Sequence, residues 1–375
     1  MAEQILNDPL LFWLFTAFFV ATLIQLFYFW VYFSKLTFYR EIRLNDDLPP
    51  VSVVLTASNQ YADLRKNLEH FLNQDYPGFE VVVVIDNSDD GTDELLKEFS
   101  KQYEQLHIVE LKQKLNWFSG RKFALSLGIK SAKFSTILLS DPACRPESKN
   151  WVSEMVSGFR HQTEIVIGYS TYLTESKINR WLRFTAFHDA LFYLSMAISG
   201  KAFKGIGKNL SYSRDLFYRH KGFSSHYAIS AGDDELFVNR AARKANTEVR
   251  VSPQSRVLHV RPVSFLKWIQ LERTRLRIRR MFRTRHKVLL RIFSVSALSF
   301  YGLFAALLAT GAPLIAVFGV LALRLISQII IYSKVLKKLS ESRLLLLSPL
   351  FEIFIIIADF LLWISIIFSP AKKWA

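Results

Sequence analysis

A carboxylate that directly follows a buried strand can hold a cation against a diphosphate, and a carboxylate on another element can take a proton from an attacking hydroxyl. The chain offers both. Asp141 stands in Leu138-Leu139-Ser140-Asp141-Pro142-Ala143-Cys144, and about ninety residues later comes Gly232-Asp233-Asp234-Glu235-Leu236-Phe237. Together they point to group transfer from an activated phosphate donor. Two adjacent acids that share a site raise each other's pKa, which suits a base, but neighbouring residues usually face different ways, so both Asp233 and Asp234 are candidates for that role.

The elements that must position these groups alternate. Val51–Thr56 and Glu80–Ile85 read as short buried strands, with a helix over Asp63–Asn73 between them. A turn over Asp86–Thr92 leads to a helix from Asp93 and a strand at His107–Glu110. A helix around Arg121–Ala132 and a strand at Ser135–Ser140 follow. Such alternation predicts an α/β fold with a mainly parallel open sheet, in which ligands sit at the carboxyl ends of strands. Asn59, Asp86 and Asp141 all fall just beyond strand ends. Asp86 can accept hydrogen bonds from a nucleobase edge or from the amides of its own turn.

Around this domain lie apolar stretches. Leu10–Phe33 carries no charge and is long enough to cross a bilayer, as are Ile292–Ala312, Pro313–Tyr332 and Leu344–Phe368. The organisation read from this is an anchor over 1–33, a linker over 34–50, a soluble domain over 51–270, a basic interfacial helix over 271–291 and three spans over 292–369. Arg324 and Asp359 are expensive in lipid and are expected to face each other or the protein. The chain has 375 residues, is 51% hydrophobic and carries a net charge of +16. That charge is not spread as in a nucleic-acid binder. Seven arginines lie between Arg273 and Lys287, immediately before the second span, where anionic lipid headgroups and lipid-linked phosphates are the nearest partners and where topogenic charge would also concentrate. Lys334, Lys337, Lys338 and Arg343 join the last two spans, whereas the first residues, Met1–Pro9, hold no Lys or Arg. The bias places the soluble domain in the cytoplasm, against a bacterial inner membrane; Lys372 and Lys373 run against it. The single cysteine, Cys144, excludes an intramolecular disulfide.

Read in order, Val51-Ser-Val-Val-Leu-Thr-Ala-Ser-Asn59, Gln74-Asp-Tyr-Pro77, Ile85-Asp-Asn-Ser-Asp-Asp-Gly-Thr92, Gly120-Arg-Lys-Phe-Ala-Leu125, Ser140-Asp-Pro-Ala-Cys144, Gly205-Ile-Gly-Lys-Asn209, Gly232-Asp-Asp-Glu-Leu236 and Gln270-Leu-Glu-Arg273 resemble a family 2 glycosyltransferase over roughly residues 50–275. The resemblance implies a GT-A-like domain that uses a nucleotide-diphospho-sugar, an inverting reaction, and membrane helices that hold the domain at the cytoplasmic surface. It assigns Asn59, Asp86, Arg121, Asp141 and Asn209 to the donor. Asp141 falls to the metal, Mg²⁺ or Mn²⁺, and Asp234 or Asp233 to the base. Comparison with Gly-Asp-Asp members favours Asp234, and counting back from Leu236 favours Asp233. Gln270 and Arg273 would meet the acceptor or a diphosphate.

Three positions depart from the family pattern. Ala143 stands where the second acid of the Asp-x-Asp motif belongs, Arg121 replaces a lysine, and Thr274 replaces the tryptophan of Gln-x-x-Arg-Trp. The resulting expectation is a metal-dependent, non-processive enzyme of cell-envelope polysaccharide biosynthesis acting on a lipid-linked or surface-glycan acceptor. Its rival is a catalytically impaired relative that binds nucleotide-sugar or serves as a scaffold in a polysaccharide assembly complex.

Overall fold

The computed structural model describes residues 8–41, 48–111, 120–160, 162–173, 177–227, 229 and 231–368. Met1–Asn7, the middle of the expected linker and the Lys372–Lys373 pair lie outside the described residues. Among the described residues ten strands form: β1 (Val51–Ala57), β2 (Phe79–Asp86), β3 (Leu106–Leu111), β4 (Thr136–Leu139), β5 (Cys144–Pro146), β6 (Ile165–Gly168), β7 (Ser170–Tyr172), β8 (Leu210–Ser213), β9 (Thr247–Arg250) and β10 (Val257–His259). The large sheet runs β3-β2-β1-β4-β8-β6-β9, and a small one runs β5-β10-β7. β3, β2, β1 and β4 are parallel, and β8 enters antiparallel to both β4 and β6.

β1 and β2 are apolar on both faces because helices cover both. Val53 and Leu55 pack with Leu64, Phe71 and Trp151 on one side. Val54 and Val84 pack with Ala124, Phe184 and Tyr212 on the other, in a core that runs on into the apolar helices through Phe33, Tyr332 and Val335. Soluble and apolar parts therefore share one core. Gly128 lies so close to this sheet that a Cβ there would meet Val54 Cγ1 at 2.6 Å.

Among the described residues four helices are long and apolar enough to cross a membrane: Pro9–Phe38, Thr284–Ala309, Leu314–Lys338 and Ser348–Phe368. They take in residues that the sequence had placed in connections. Ser34–Phe38 continues the first helix, and Lys334, Lys337 and Lys338 complete the third. Lysine is a good helix former, and a cation suits a helix C-terminus. Lys338 Nζ also donates to the carbonyls of Leu36, Thr37 and Tyr39 at 2.8, 2.9 and 2.6 Å, which satisfies carbonyls at the end of the first helix. The expected basic helix over 271–291 is instead the end of Phe265–Arg279 and the start of Thr284–Ala309. The break is pinned where Arg283 N donates to Asn239 Oδ1 at 2.9 Å.

Arg324 does not meet Asp359. Its Nη2 pairs with Glu352 Oε2 at 2.8 Å, and its Nη1 donates to Tyr301 Oη and Gln328 Oε1. Gln25 from the first helix accepts from Arg324 Nη2 and donates to Ser296 Oγ, so all four helices contribute to one polar network. The rings of Phe29, Phe300 and Tyr301 each stand 5.3 Å from the guanidinium carbon. Asp359 pairs instead with Arg279 Nη1 at 3.7 Å.

Candidate active site

The carboxyl ends of β1, β2 and β4 bring Asn59, Asp86 and Asp141 to one edge of the sheet. Arg121 reaches the same edge from the first residue of helix Arg121–Ser131, after Gly120 at φ +115°. Its Nη1 meets Asp141 Oδ2 at 2.9 Å, and its Nε meets Asp233 Oδ2 at 3.4 Å. One guanidinium thus links acids about ninety residues apart in sequence.

Gly232, at φ +78°, turns the chain into helix Asp233–Ala241, a left-handed conformation that glycine adopts without strain. The two acids that follow diverge. Asp233 faces Arg121, while Asp234 Oδ2 accepts from Gly207 N at 2.5 Å and its Oδ1 from Glu235 N at 2.8 Å. Asp233 is buried and Asp234 half-buried. Lys122, beside Arg121, is buried and donates to the carbonyls of His226, Ile229 and Ala231, which fixes the approach to Gly232. The sequence reading gave Lys122 no role, since its carbonyl partners are far along the chain and follow no motif.

Charge balance differs between the acids. Burial pushes Asp141 up, but Arg121, Lys208 and the Ala143 amide outweigh it and hold the carboxyl below its usual range. Burial dominates at Asp233, helped by Asp234, and raises it despite Arg121. Burial alone would weaken the Arg121 cation, yet Asp233, Asp141 and Asp234 reverse that and keep it charged.

Ala143 is buried, with its N–H on Asp141 Oδ1 at 2.9 Å and its carbonyl accepting from Val260 N. Among the described residues, no three His, Cys, Asp or Glu side chains converge as a metal cage. Asp141 nevertheless fits a cation held by one carboxylate plus substrate phosphates and water. His259, which the sequence reading overlooked, interacts electrostatically with Asp141 and ends β10 opposite Cys144. Burial and Lys208 push its imidazole down to about 3, so it is neutral, and Nδ1 has no hydrogen-bond partner among the described residues. A lone His at the end of a three-residue strand carries no signal in sequence.

Other expected site residues do not touch the Arg121 bridge. Asn59, at φ +50°, uses Oδ1 to accept from Asp89 N at 2.9 Å and so shapes the loop after β2. Asp86 closes β2 and accepts from Asn87 Nδ2 at 3.1 Å. Asn209 is fully buried: Nδ2 donates to Tyr169 O and Ser255 O, and Oδ1 accepts from Trp151 Nε1. It is a structural residue. The room at Gly205 is taken by Leu210 and Val238, and that at Gly207 by Asp234, so these glycines admit protein side chains. Gln270 and Arg273 lie on helix Phe265–Arg279, which lines a cavity on the side of the apolar helices.

Residues 52–221 match the model for Glycosyl transferase family 2. Over that stretch the chain resembles a family 2 glycosyltransferase domain. It is 34% identical over 103 residues to the probable glycosyltransferase YdaM of Bacillus subtilis, which covers 27% of this chain and 24% of that protein. It is 29% identical over 110 residues to the beta-monoglucosyldiacylglycerol synthase of Trichormus variabilis, covering 29% and 21%. The chain therefore spans about a quarter of the length of these relatives. The solved structure of mannosyltransferase PcManGT from Pyrobaculum calidifontis in complex with GDP-Man and Mn²⁺ aligns with a TM-score of 0.57 at 16% identity, over 90% of this chain and 96% of that one. The fold is GT-A-like, with four candidate membrane-spanning helices.

Proposed function

We propose that this protein is a membrane-anchored, inverting glycosyltransferase that moves a sugar from a nucleotide-diphospho-sugar to a lipid-linked or surface-glycan acceptor. The observation that carries the reading is Arg121 bridging Asp141 and Asp233 at the carboxyl edge of a parallel sheet inside a family 2 domain. Asp86 and the loop shaped by Asn59 hold the base. Arg121, kept cationic by its two acids, presents its remaining N–H groups to the diphosphate. Asp141 is the protein ligand for Mg²⁺ or Mn²⁺, with neutral His259 beside it. When bound, the cation neutralises charge on the leaving diphosphate.

Asp234 is the base. Two backbone amides fix its carboxylate, it is the more open of the two acids, and among the described residues no cation pairs with it. It takes the proton of the acceptor hydroxyl as that oxygen bonds the anomeric carbon. The bond from that carbon to the diphosphate oxygen breaks, and the nucleoside diphosphate leaves with the electron pair. Asp233 serves as a positioning residue through Arg121. The closed Arg324–Glu352 network at the centre of the bundle supports addition of one sugar per encounter, and the basic Lys334–Arg343 segment beside the soluble domain supports a cytoplasmic orientation at a bacterial inner membrane.

Ala143 favours a second reading, a nucleotide-sugar-binding protein without turnover. Calorimetry with a panel of nucleoside diphosphates, with Mg²⁺, Mn²⁺ or chelator, combined with nucleotide-sugar turnover in membranes, separates the two. Micromolar, metal-dependent binding together with turnover supports the enzyme; binding without turnover leaves the second reading; absence of binding by folded protein removes both.

A further inference from the structure

Lys208 stands between the acids that divide the chemistry. Its carbonyl accepts from Ser140 Oγ at 2.9 Å, next to Asp141, and the residue before it, Gly207, gives its amide to Asp234 Oδ2 at 2.5 Å. The backbone is held there because Leu210 pairs with Leu139 where β8 meets β4. The side chain is half-buried, with Nζ 5.4 Å from the centre of the Tyr172 ring. That ring packs against His259 at 5.1 Å, and Lys208 interacts electrostatically with Asp141, Cys144 and His259. Yet among the described residues no carboxylate lies within ion-pair distance of its ammonium, and Nζ makes no hydrogen bond. An ammonium carries three donors, and partial burial without acceptors is costly.

The acid that it faces is poorly equipped for an ion. Asp141 Oδ2 accepts from Arg121 and Oδ1 from the Ala143 amide, so both oxygens are engaged, and Ala143 brings no second carboxylate. A pair of acids on such an edge would repel a diphosphate until a divalent ion cancelled them. Here Arg121 and Lys208 already balance Asp141 and Asp233 before any ion binds. Arg121 is divided between those acids, whereas Lys208 is committed to neither.

We propose that Lys208 is a donor-diphosphate residue whose ammonium supplies part of the neutralisation that a second acid would have brought through a divalent ion, so that the donor keeps affinity when the ion is removed. This rests on the transferase reading and adds a residue to its donor site. The oxygens that Lys208 meets are those of the distal phosphate, the one that carries the sugar, because its backbone joins Ser140 to the glycine that holds Asp234.

The test is calorimetry on full-length protein in detergent, with GDP and UDP as probes, GMP and UMP as probes lacking the distal phosphate, and each run in excess Mg²⁺ and in chelator. In the parent, chelator is expected to weaken the preferred diphosphate by no more than about tenfold. Lys208→Gln is expected to weaken it at least about tenfold in chelator but only about threefold in Mg²⁺, and to leave the monophosphate within about twofold. Lys208→Arg is expected to recover binding in chelator. An unchanged monophosphate affinity shows that the site of the Gln variant is folded. Parent binding lost entirely in chelator, or Lys208→Gln binding the diphosphate like the parent in both media, would overturn the proposal. So would an equal loss for monophosphate and diphosphate that Lys208→Arg does not restore, since that makes Lys208 a packing residue against Tyr172. Absence of binding of any nucleotide by folded parent in either medium would instead overturn the transferase reading.

Discussion

Two of the arginines that bind carboxylates in this molecule do so in opposite settings. Arg324 and its partner Glu352 are both wholly shielded, at 0% side-chain exposure, and the guanidinium is enclosed by three aromatic rings and by polar groups from all four apolar helices. Arg121 keeps 37% of its side chain exposed and divides itself between two acids, one of them at 3.4 Å. The first arrangement is closed to solvent and commits both guanidinium Nη atoms to side chains of the apolar helices. The second has donors to spare, strain in its acid titrations and an open edge. An arginine shielded inside its own protein fixes helices, while one left partly exposed is available to a substrate.

Breaking the shielded pair gives the largest stability effect. Arg324→Met leaves Glu352 buried and unpaired, and is expected to cost about 3–5 kcal/mol, whereas Arg324→Met with Glu352→Leu recovers most of that loss. Thermal unfolding in detergent, with single and double variants side by side, reads this directly. A double variant as unstable as the single one would show that the network acts through something other than the charge pair.

Between the two regions lies Asp189. Burial would raise it, but Lys204, Arg275 and Arg279 hold it at about 2, below the ordinary 3.8. A depressed folded pKa adds stability above the ordinary carboxylate range and loses it as pH falls from about 4 towards 2. Asp189→Asn is expected to cost about 2 kcal/mol at neutral pH and to flatten the decline of the unfolding midpoint between pH 5 and 3. An equally steep decline in the variant would assign the acid sensitivity to other groups.

Arg121→Gln gives the smallest stability change, under about 1 kcal/mol, because a partly exposed pair contributes little. Its effect falls on function. Nucleoside diphosphate affinity is expected to drop about tenfold by calorimetry, or about 1.4 kcal/mol. Large destabilisation with donor affinity intact would place Arg121 among the structural arginines, like Arg324.

Much of this was legible in sequence. The β1–β4 strands came from short apolar runs, and the apolar helices from their length, because burial on both faces or in lipid leaves a local pattern. Asp141, Arg121 and the Asp233–Asp234 pair came from motifs. What could not be read depends on partners distant in the chain. Asn209 is absorbed by Trp151, Tyr169 and Ser255, and no local pattern distinguishes such a residue from one that reaches a sugar. Glu352 was passed over inside an apolar run although it is the true partner of Arg324. Lys122 and His259 acquire meaning only once strands and loops from separate stretches meet.

The division between the two adjacent acids is tested most directly by comparing Asp234→Asn with Asp233→Asn, measuring sugar transfer into membrane acceptor and nucleoside diphosphate binding on the same preparations. Asp234→Asn is expected to lower transfer about 10²–10⁴-fold while leaving donor affinity within about twofold, as loss of a general base should. Asp233→Asn is expected to weaken donor affinity together with transfer, because Arg121 loses a partner. The opposite pattern, with Asp234→Asn losing the donor and Asp233→Asn losing only turnover, would contradict the assignment and make Asp233 the base.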